Sequence, residues 1–319
     1  MYTITMDIID GHTIRKALPY PKLIDALSHA FCSELTVPMR HHHDMVNPGQ
    51  RETTLLLMPA WESGGKAGVK IVTVAPEHAP SIKGIYLLMD LATGTPELMM
   101  DAPVLTARRT AAASALAASH LAPTHASTLL MVGTGALSLE LIQAHCAVRP
   151  ISEVMVWGRE HKKASSVAEQ ARQLGLEACA VSHLEAACQK AQIISVATLS
   201  KEPLIKGRWL QSGQHLDLVG AYRPDMREAD DDVIRRCQLF VDTRQGALKE
   251  TGDLVIPLAQ GLIVPESIEA DLFDLCRGQH PGRTDAQQTT LFKSVGHALE
   301  DLAAAKLVAS TVQPSNHHE

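Results

Sequence analysis

Residues 127–148 read STLLMVGTGALSLELIQAHCAV. A short apolar run, Thr128 to Val132, meets Gly133-Thr134-Gly135, and a segment of helical apolar period opens directly after it. The run has a strand's length and the segment a helix's spacing, so the glycines sit at a strand-to-helix turn. In such a turn Gly133 permits the tight bend, and Gly135 lets the backbone approach a pyrophosphate seated on the helix N-terminus. The third position of the pattern is Ser138 where glycine or alanine is usual, a small residue that still allows close helix–strand contact. A lone GxG says little. Its flanking strand and helix give this one the context of a dinucleotide fingerprint, with a plain strand–helix turn as the alternative.

Outward from that turn the alternation continues. EVMVWGR (153–159), AQIISVATLS (191–200) and HLDLVGA (215–221) read as buried strands, and KKASSVAEQARQLG (162–175) as a helix. Strand–helix alternation of this kind predicts an α/β, Rossmann-type doubly wound parallel sheet. The N-terminal part differs. Residues 7–35 suggest an opening helical segment with Leu23, Ile24, Leu27 and Phe31 on one face; TTLLLMPAW (53–61) and GVKIVTVAP (68–76) are strand-like. IYLLMDLATGTPELMMD (85–101) reads as a hairpin turning at Thr93-Gly94. LTARRTAAASALAASHLA (105–122) is a helix by propensity, opened by Thr106 as a cap and ended near Pro123. TLFKSVGHALEDLAAAKLVAS (290–310) reads as one amphipathic helix, with a polar tail, QPSNHHE (313–319), expected to fray.

Composition bounds the function. The 319 residues leave room for two domains; 45% hydrophobic and 20% charged content describe an ordinary soluble globular chain. A net charge of −6 and 3% aromatic residues argue against nucleic-acid and acidic-membrane partners. The six cysteines form no CxxC pair and read as reduced thiols packed as small hydrophobes. MYTITMDIIDG shows no secretory pattern and no run reaches 18 apolar residues, so a cytoplasmic protein is expected.

Chemistry gathers at a few positions. After the second strand, Gly158 stands where an acid would repel a 2′-phosphate, and Arg159 follows it. That favours NADPH, with NADH still served by Glu160 if the loop shifts by a residue. Arg40, Lys70 and Arg109 are basic residues on elements able to converge. Lys70 interrupts an otherwise apolar strand and needs a partner, and Arg109 near a helix start suits a carboxylate bidentately. Each has a structural ion pair as its alternative. His41-His42-His43 cannot all reach one ion from a strand, and with no HExxH or Cys/His cluster elsewhere no metal is expected. No GxSxG supplies a nucleophile.

Taken with LLLMPAW, GVKIVTV, MVGTGA, VMVWGRE, VATLSKEP, GAYRPDMREAD, ALKETGDL and the two Ala-rich stretches, the chain resembles the ornithine cyclodeaminase/μ-crystallin family over essentially its whole length. The resemblance implies a homodimer of two-domain subunits. Residues 1–120 and 297–319 would form an α+β substrate-binding and dimerisation domain, around a Rossmann domain at 121–296. Arg40, Lys70 and Arg109 match the family's carboxylate-binding residues, with Tyr222 and Glu250 beside the substrate. Arg109, Thr110, Gly133, Gly135, Ala136, Leu137, Arg159, Thr198 and Ser294 fall at dinucleotide-contacting positions.

True cyclodeaminases in the family resemble one another in a Gly-x-Asp-x-Pro-Gly-Lys loop. Here Tyr222 occupies the aspartate position, and Asp225 lies one residue beyond Pro224. The RPDMRE form is similar to ketimine reductases, including Δ1-pyrroline-2-carboxylate reductases. The implied activity is NAD(P)H-dependent reduction of cyclic ketimine carboxylates: Δ1-pyrroline-2-carboxylate to L-proline and Δ1-piperideine-2-carboxylate to L-pipecolate. Lys70 is then either the proton relay or a purely electrostatic anchor. The alternatives are an ornithine cyclodeaminase, an alanine-type amino-acid dehydrogenase, or a non-catalytic μ-crystallin-like binding protein.

Overall fold

Proline and capping side chains, more than helix propensity, decide where the first elements break. The structure is a computed structural model that describes residues 6–46, 48–49, 52–75, 78 and 82–312; the tail expected to fray and the first five residues of the N-terminal stretch lie outside them. The opening segment is not one helix. It is strand β1 (Asp7–Ile9), helix α1 (Gly11–Ala17) and helix α2 (Tyr20–Cys32). Asp10 caps α1 by accepting from the Thr13 amide (2.8 Å), and Pro19 separates the two helices because its ring lacks a donor. Leu23, Ile24, Leu27 and Phe31 are buried on one face of α2, as their spacing predicts.

Strands β2 (Leu35–Thr36), β3 (His41–Met45), β4 (Thr53–Glu62), β5 (Lys66–Val74), β6 (Ile82–Asp90) and β7 (Pro96–Asp101) follow, then helix α3 (Ala102–Leu121). β6 and β7 form the expected hairpin, with Gly94 at φ +70° in its turn. α3 opens earlier than its sequence suggests. Asp101, not Thr106, accepts from the Val104 amide (2.9 Å), because the acid at the strand end reaches the first orphan donors. These elements belong to the first of two compact units, Met1–Thr110 with His297–Glu319; the second is Ala111–Gly296. The boundary falls after Thr110, inside α3, where the sequence reading ended the domain at residue 120.

The first unit's sheet runs β1-β7-β6-β5-β4-β2, with β3 also paired to β4. Strand periodicity sorts its two faces. Met58, Ala60, Lys70, Val72, Tyr86, Leu88, Leu98 and Met100 are buried on one face, against which helix α11 (Ala298–Val312) packs. The opposite face presents Leu57, Ile71 and Ile85 in one cross-strand row and Val69, Leu87 and Met99 in the next, all only half-buried.

The second unit holds β8 (Thr128–Val132), α4 (Ser138–Val148), β9 (Glu153–Trp157), α5 (His161–Gln173), β10 (Glu177–Ala180), α6 (Leu184–Lys190), β11 (Ile193–Val196), β12 (His215–Leu218), α7 (Asp231–Arg236), β13 (Gln238–Val241), α8 (Arg244–Glu250), α9 (Gly252–Ala259), β14 (Ile268–Asp271), α10 (Leu272–Cys276) and β15 (Thr290–Lys293). Its sheet is parallel throughout, in the order β10-β9-β8-β11-β12-β15-β13-β14. The doubly wound Rossmann-type sheet is therefore present, and its order reverses between β8 and β11, the switch point where such sheets receive ligands. One expectation fails at β15. TLFK belongs to a strand, not to the final helix, because a short apolar run buried on both faces has no period to tell it from helix. Gly296, at φ +81°, then ends the strand's exit before α11 begins. The cysteines divide as well: Cys188 and Cys237 are buried, whereas Cys32 and Cys179 are exposed.

Polar residues inside this sheet bond to one another. The buried Asp217 carboxylate accepts from Ser114 (2.8 Å) and Ser195 (2.7 Å) and lies 3.2 Å from His145 Nε2. Burial works against its charge, but the bonds from His145 and Ser195 hold it below the usual carboxylate range. On the same strand His215 Nδ1 lies 2.9 Å from Thr290 Oγ1, whose own proton goes to the Leu121 carbonyl. His215 therefore donates from Nδ1 and is neutral; burial pushes it down to about 3. Unfolding lets it bind a proton below its ordinary value of 6.5, so its stabilising effect is present above that pH and lost as pH falls toward 3. We expect stability to fall by up to about 1.4 kcal/mol per pH unit from this residue over that window. Urea midpoints measured against pH should show a shallower acid slope in His215→Gln; an unchanged slope would contradict the assignment.

Candidate active site

Lys70 sits on β5 between Val69 and Ile71, so strand alternation turns it inward while both neighbours face the other way. It is 4% exposed, and a cation at that depth requires a counter-charge. Asp301, on the first turn of α11, supplies it: Lys70 Nζ lies 2.7 Å from Asp301 Oδ2. Arg109, on α3, takes the other oxygen through Nε (2.9 Å) and reaches Glu300 through Nη1 (2.5 Å). The ion-pair alternative weighed for Lys70 and Arg109 is thus realised, and both partners come from the far end of the chain.

The pairing leaves donors. Among the described residues, Lys70 keeps two ammonium protons beyond the one on Asp301, and Arg109 keeps Nη2. Lys70 is pushed down to about 8, by burial first and the Arg109 charge second, with Asp301 pulling the other way and Arg40 adding to the decrease. Burial, more than the neighbouring arginines, is therefore the cause of the shift. Arg40 and Arg109 also act on His297, which burial foremost drives down to about 4. Arg40 and Arg109, expected to converge with Lys70, are both close enough to act on it. Asp301, Glu300 and His297 were missed; the signal was an adjacent acid pair inside the Ala-rich stretch ALEDLAAA.

In the second unit the glycine turn has the required shape. Gly133 has φ +125°, and a Cβ there would lie 2.3 Å from the Ala197 carbonyl oxygen at the end of β11. A Cβ on Gly135 would meet nothing within 4 Å. The amides of Thr134, Gly135, Ala136 and Leu137 donate to no protein group among the described residues, and they precede α4. Open space over unpaired amides at a helix N-terminus fits a pyrophosphate. Ser138 Oγ donates to the Gly133 carbonyl (3.0 Å), which accounts for serine at the third position.

The remaining positions are mixed. A Cβ on Gly158 would come 2.6 Å from Thr134 Cγ2, so an acidic side chain has no room there; Arg159 next to it is exposed. Glu160 is turned to Lys163 (2.7 Å). The Thr198 amide and hydroxyl both donate to Glu228, a residue passed over in a loop read for Tyr222 and Asp225. Ser294 is buried with its hydroxyl 3.3 Å from Asp242. Thr110 is buried, Glu250 and Arg40 are half-buried, and Tyr222 is exposed. Asp225 pairs with Arg223 (2.8 Å) and Lys201 (3.0 Å) at the surface. His41, His42 and His43 are exposed on β3, and no metal-holding group occurs among the described residues. Nor, among those residues, is any helix long and apolar enough to cross a membrane.

Comparisons bear on this geometry. The ornithine cyclodeaminase/mu-crystallin family model matches residues 8–316. The chain is 44% identical over 314 residues to an uncharacterized protein of Schizosaccharomyces pombe, covering 94% of this chain and 95% of that one. It is 38% identical over 279 residues to the Delta(1)-pyrroline-2-carboxylate reductase of Paracoccus denitrificans, covering 86% and 88%. Among solved structures, Thermococcus litoralis Delta(1)-pyrroline-2-carboxylate reductase in complex with NADH and L-proline superposes with a TM-score of 0.91 at 32% identity, over 96% of this chain and 97% of that one.

The buried quartet gives a stability test. Asp301→Asn strands the Lys70 ammonium and should cost about 3–5 kcal/mol, read from urea unfolding midpoints. Adding Lys70→Met should recover part of that loss, because the stranded charge is gone. A single variant as stable as the wild type would show that the pair is not what holds the site.

Proposed function

The chain belongs to the ornithine cyclodeaminase/mu-crystallin family, and on that footing we propose that it reduces cyclic ketimine carboxylates with a reduced nicotinamide dinucleotide. The substrates proposed are Δ1-pyrroline-2-carboxylate, giving L-proline, and Δ1-piperideine-2-carboxylate, giving L-pipecolate. The observation that carries the reading is the buried Lys70–Arg109 pair with N–H donors left over after Asp301 and Glu300 are served. Those donors, with Arg40, suit one carboxylate held in a fixed orientation. The glycine turn and the unpaired amides before α4 would hold the dinucleotide pyrophosphate. When bound, the reduced nicotinamide supplies a hydride.

A protonated imine is neutralised by hydride attack, so no strong acid is needed in the loop after β12. Asp225 is tied to Arg223 and Lys201 at the surface, and Tyr222 stands where the deaminase aspartate would be, which supports reduction over ornithine deamination. Lys70 keeps its proton up to about pH 8 and so sits beside the carboxylate either as anchor or as the group that returns a proton. Exposed Arg159 beside a Gly158 that excludes an acid supports NADPH as the preferred form. The half-buried apolar rows on the outer face of the first unit's sheet support a homodimer, since adjoining apolar side chains left partly open to solvent suit an association face.

NADPH and NADH oxidation measured with the five- and six-membered ketimines tests the activity. Both imines should support oxidation. Ammonia and proline from ornithine without added reductant would overturn the reading. Arg159→Ala should raise the KM for NADPH at least about tenfold more than that for NADH, and an equal rise would refute the 2′-phosphate assignment. Light scattering should give a dimer mass for the wild type and a monomer mass for Ile71→Lys/Leu87→Lys; a monomeric wild type would exclude the association.

A further inference from the structure

At the carboxyl edge of the second unit's sheet lies a buried charge cluster that the chemistry above does not use. Glu228 is fully buried in the segment between β12 and α7. Its Oε1 accepts from the Thr198 amide (2.7 Å) and hydroxyl (2.9 Å). Its Oε2 accepts from the amides of Gly220 (2.7 Å) and Ala221 (3.1 Å). Donors from two loops, one after β11 and one after β12, thus converge on a single carboxylate. Gly220 admits no side chain: a Cβ would come 2.0 Å from the Thr198 carbonyl oxygen and 2.5 Å from Glu228 Oε1.

The cluster continues inward. Lys293, the last residue of β15, is fully buried, 2.9 Å from Asp253 Oδ2 and 3.7 Å from Glu228 Oε2. Asp253 Oδ1 in turn accepts from the Glu228 amide (2.7 Å). Glu228 is therefore gripped at its backbone by Asp253 while its side chain grips two loops. A buried carboxylate is costly, and a neutral amide in its place would set its own donors against those already converging there. Charge-assisted bonds fix amide positions more firmly than neutral ones do. The two loops fixed here adjoin the switch between β8 and β11, and Thr198 is one of the positions read as contacting the dinucleotide.

We propose that Glu228, oriented by Asp253 and paired with Lys293, is a positioning residue that sets the Thr198 and Gly220–Ala221 loops in the geometry that receives the dinucleotide, so that dinucleotide affinity follows its ionisation. The proposal rests on the reading that the second unit binds a nicotinamide dinucleotide. Lys293 and Asp253 are the charged groups that face Glu228. Burial lifts its carboxyl to about 7 against the pull of Lys293. Protonation would turn one acceptor oxygen into a donor facing donors.

The test is NADH binding by the intact protein, followed by fluorescence from pH 5.5 to 8.5, with NADH chosen because it lacks a titrating 2′-phosphate. Wild-type affinity should fall by up to about tenfold per pH unit below about 7. Glu228→Gln should bind about tenfold or more weakly at pH 8, with a flat profile, while the ketimine KM at saturating NADH changes little. A wild-type profile flat across the range overturns the proposal even if the variant does not fold. A folded variant that keeps the wild-type affinity or bend also overturns it. A wild type that binds NADH at no pH removes the premise itself, an outcome distinct from binding that ignores pH.

Discussion

One carboxylate, Asp301, holds the first unit's chemistry together. It binds Lys70 from the sheet and Arg109 from α3 with its two oxygens, and all three groups are buried. Neither cation could be buried at that depth without a counter-charge, and Asp301 could not be kept charged without them. The arrangement keeps cationic donors in a low-dielectric setting without leaving them unpaired. Donors so fixed need little reorganisation when an anion arrives, and preorganisation of this kind gives a binding site its orientation. The same carboxylate keeps Lys70 protonated near neutrality although burial and Arg109 both push the other way.

The second unit applies the same rule at other depths of its sheet. Asp217, in the middle of β12, is closed off by two serines and a histidine and has nothing left to offer a ligand. Glu228 and Lys293, at the carboxyl ends of the strands, join the loops that lead away from the sheet. Mid-strand charge therefore fastens helices to the sheet, and edge charge shapes loops. The difference follows from position alone, because only the carboxyl edge of a parallel sheet opens onto loops that can change with function.

What could be read from the sequence tracks which signals are local. The strand–glycine–helix turn, the hairpin at Thr93-Gly94 and the inner face of α2 are all set by residues close together in the chain, and each is found where expected. TLFK was misread because a strand buried on both faces has no period, and Thr106 because a nearer acid, Asp101, reached the first free amides. Lys70 announced itself as a cation in an apolar strand and Arg109 as one near a helix start. Their partners did not, since an acidic pair in an exposed-looking helix is ordinary until its contacts, some two hundred residues away in sequence, are known. Glu228 was hidden differently: its loop was compared for what it lacked, and the glutamate that orders it drew no notice.

That loop carries two messages of opposite kind. Deamination of ornithine needs an acid or base placed where the amine departs, whereas hydride addition to a protonated imine needs only the imine held still beside its donor. Tyr222, at the aspartate's position, brings no carboxylate for the first. Asp225, the acid nearest to it, is neutralised at the surface by Arg223 and Lys201. The one carboxylate of the segment that is buried and firmly placed, Glu228, faces inward and already accepts from two loops, so it has no free oxygen for a substrate proton. An acid that organises and an acid that reacts have incompatible needs, since the first must keep its acceptors filled and the second must keep one open. In this loop the buried acid has its acceptor sites filled and the exposed acid is paired, so neither is open to react.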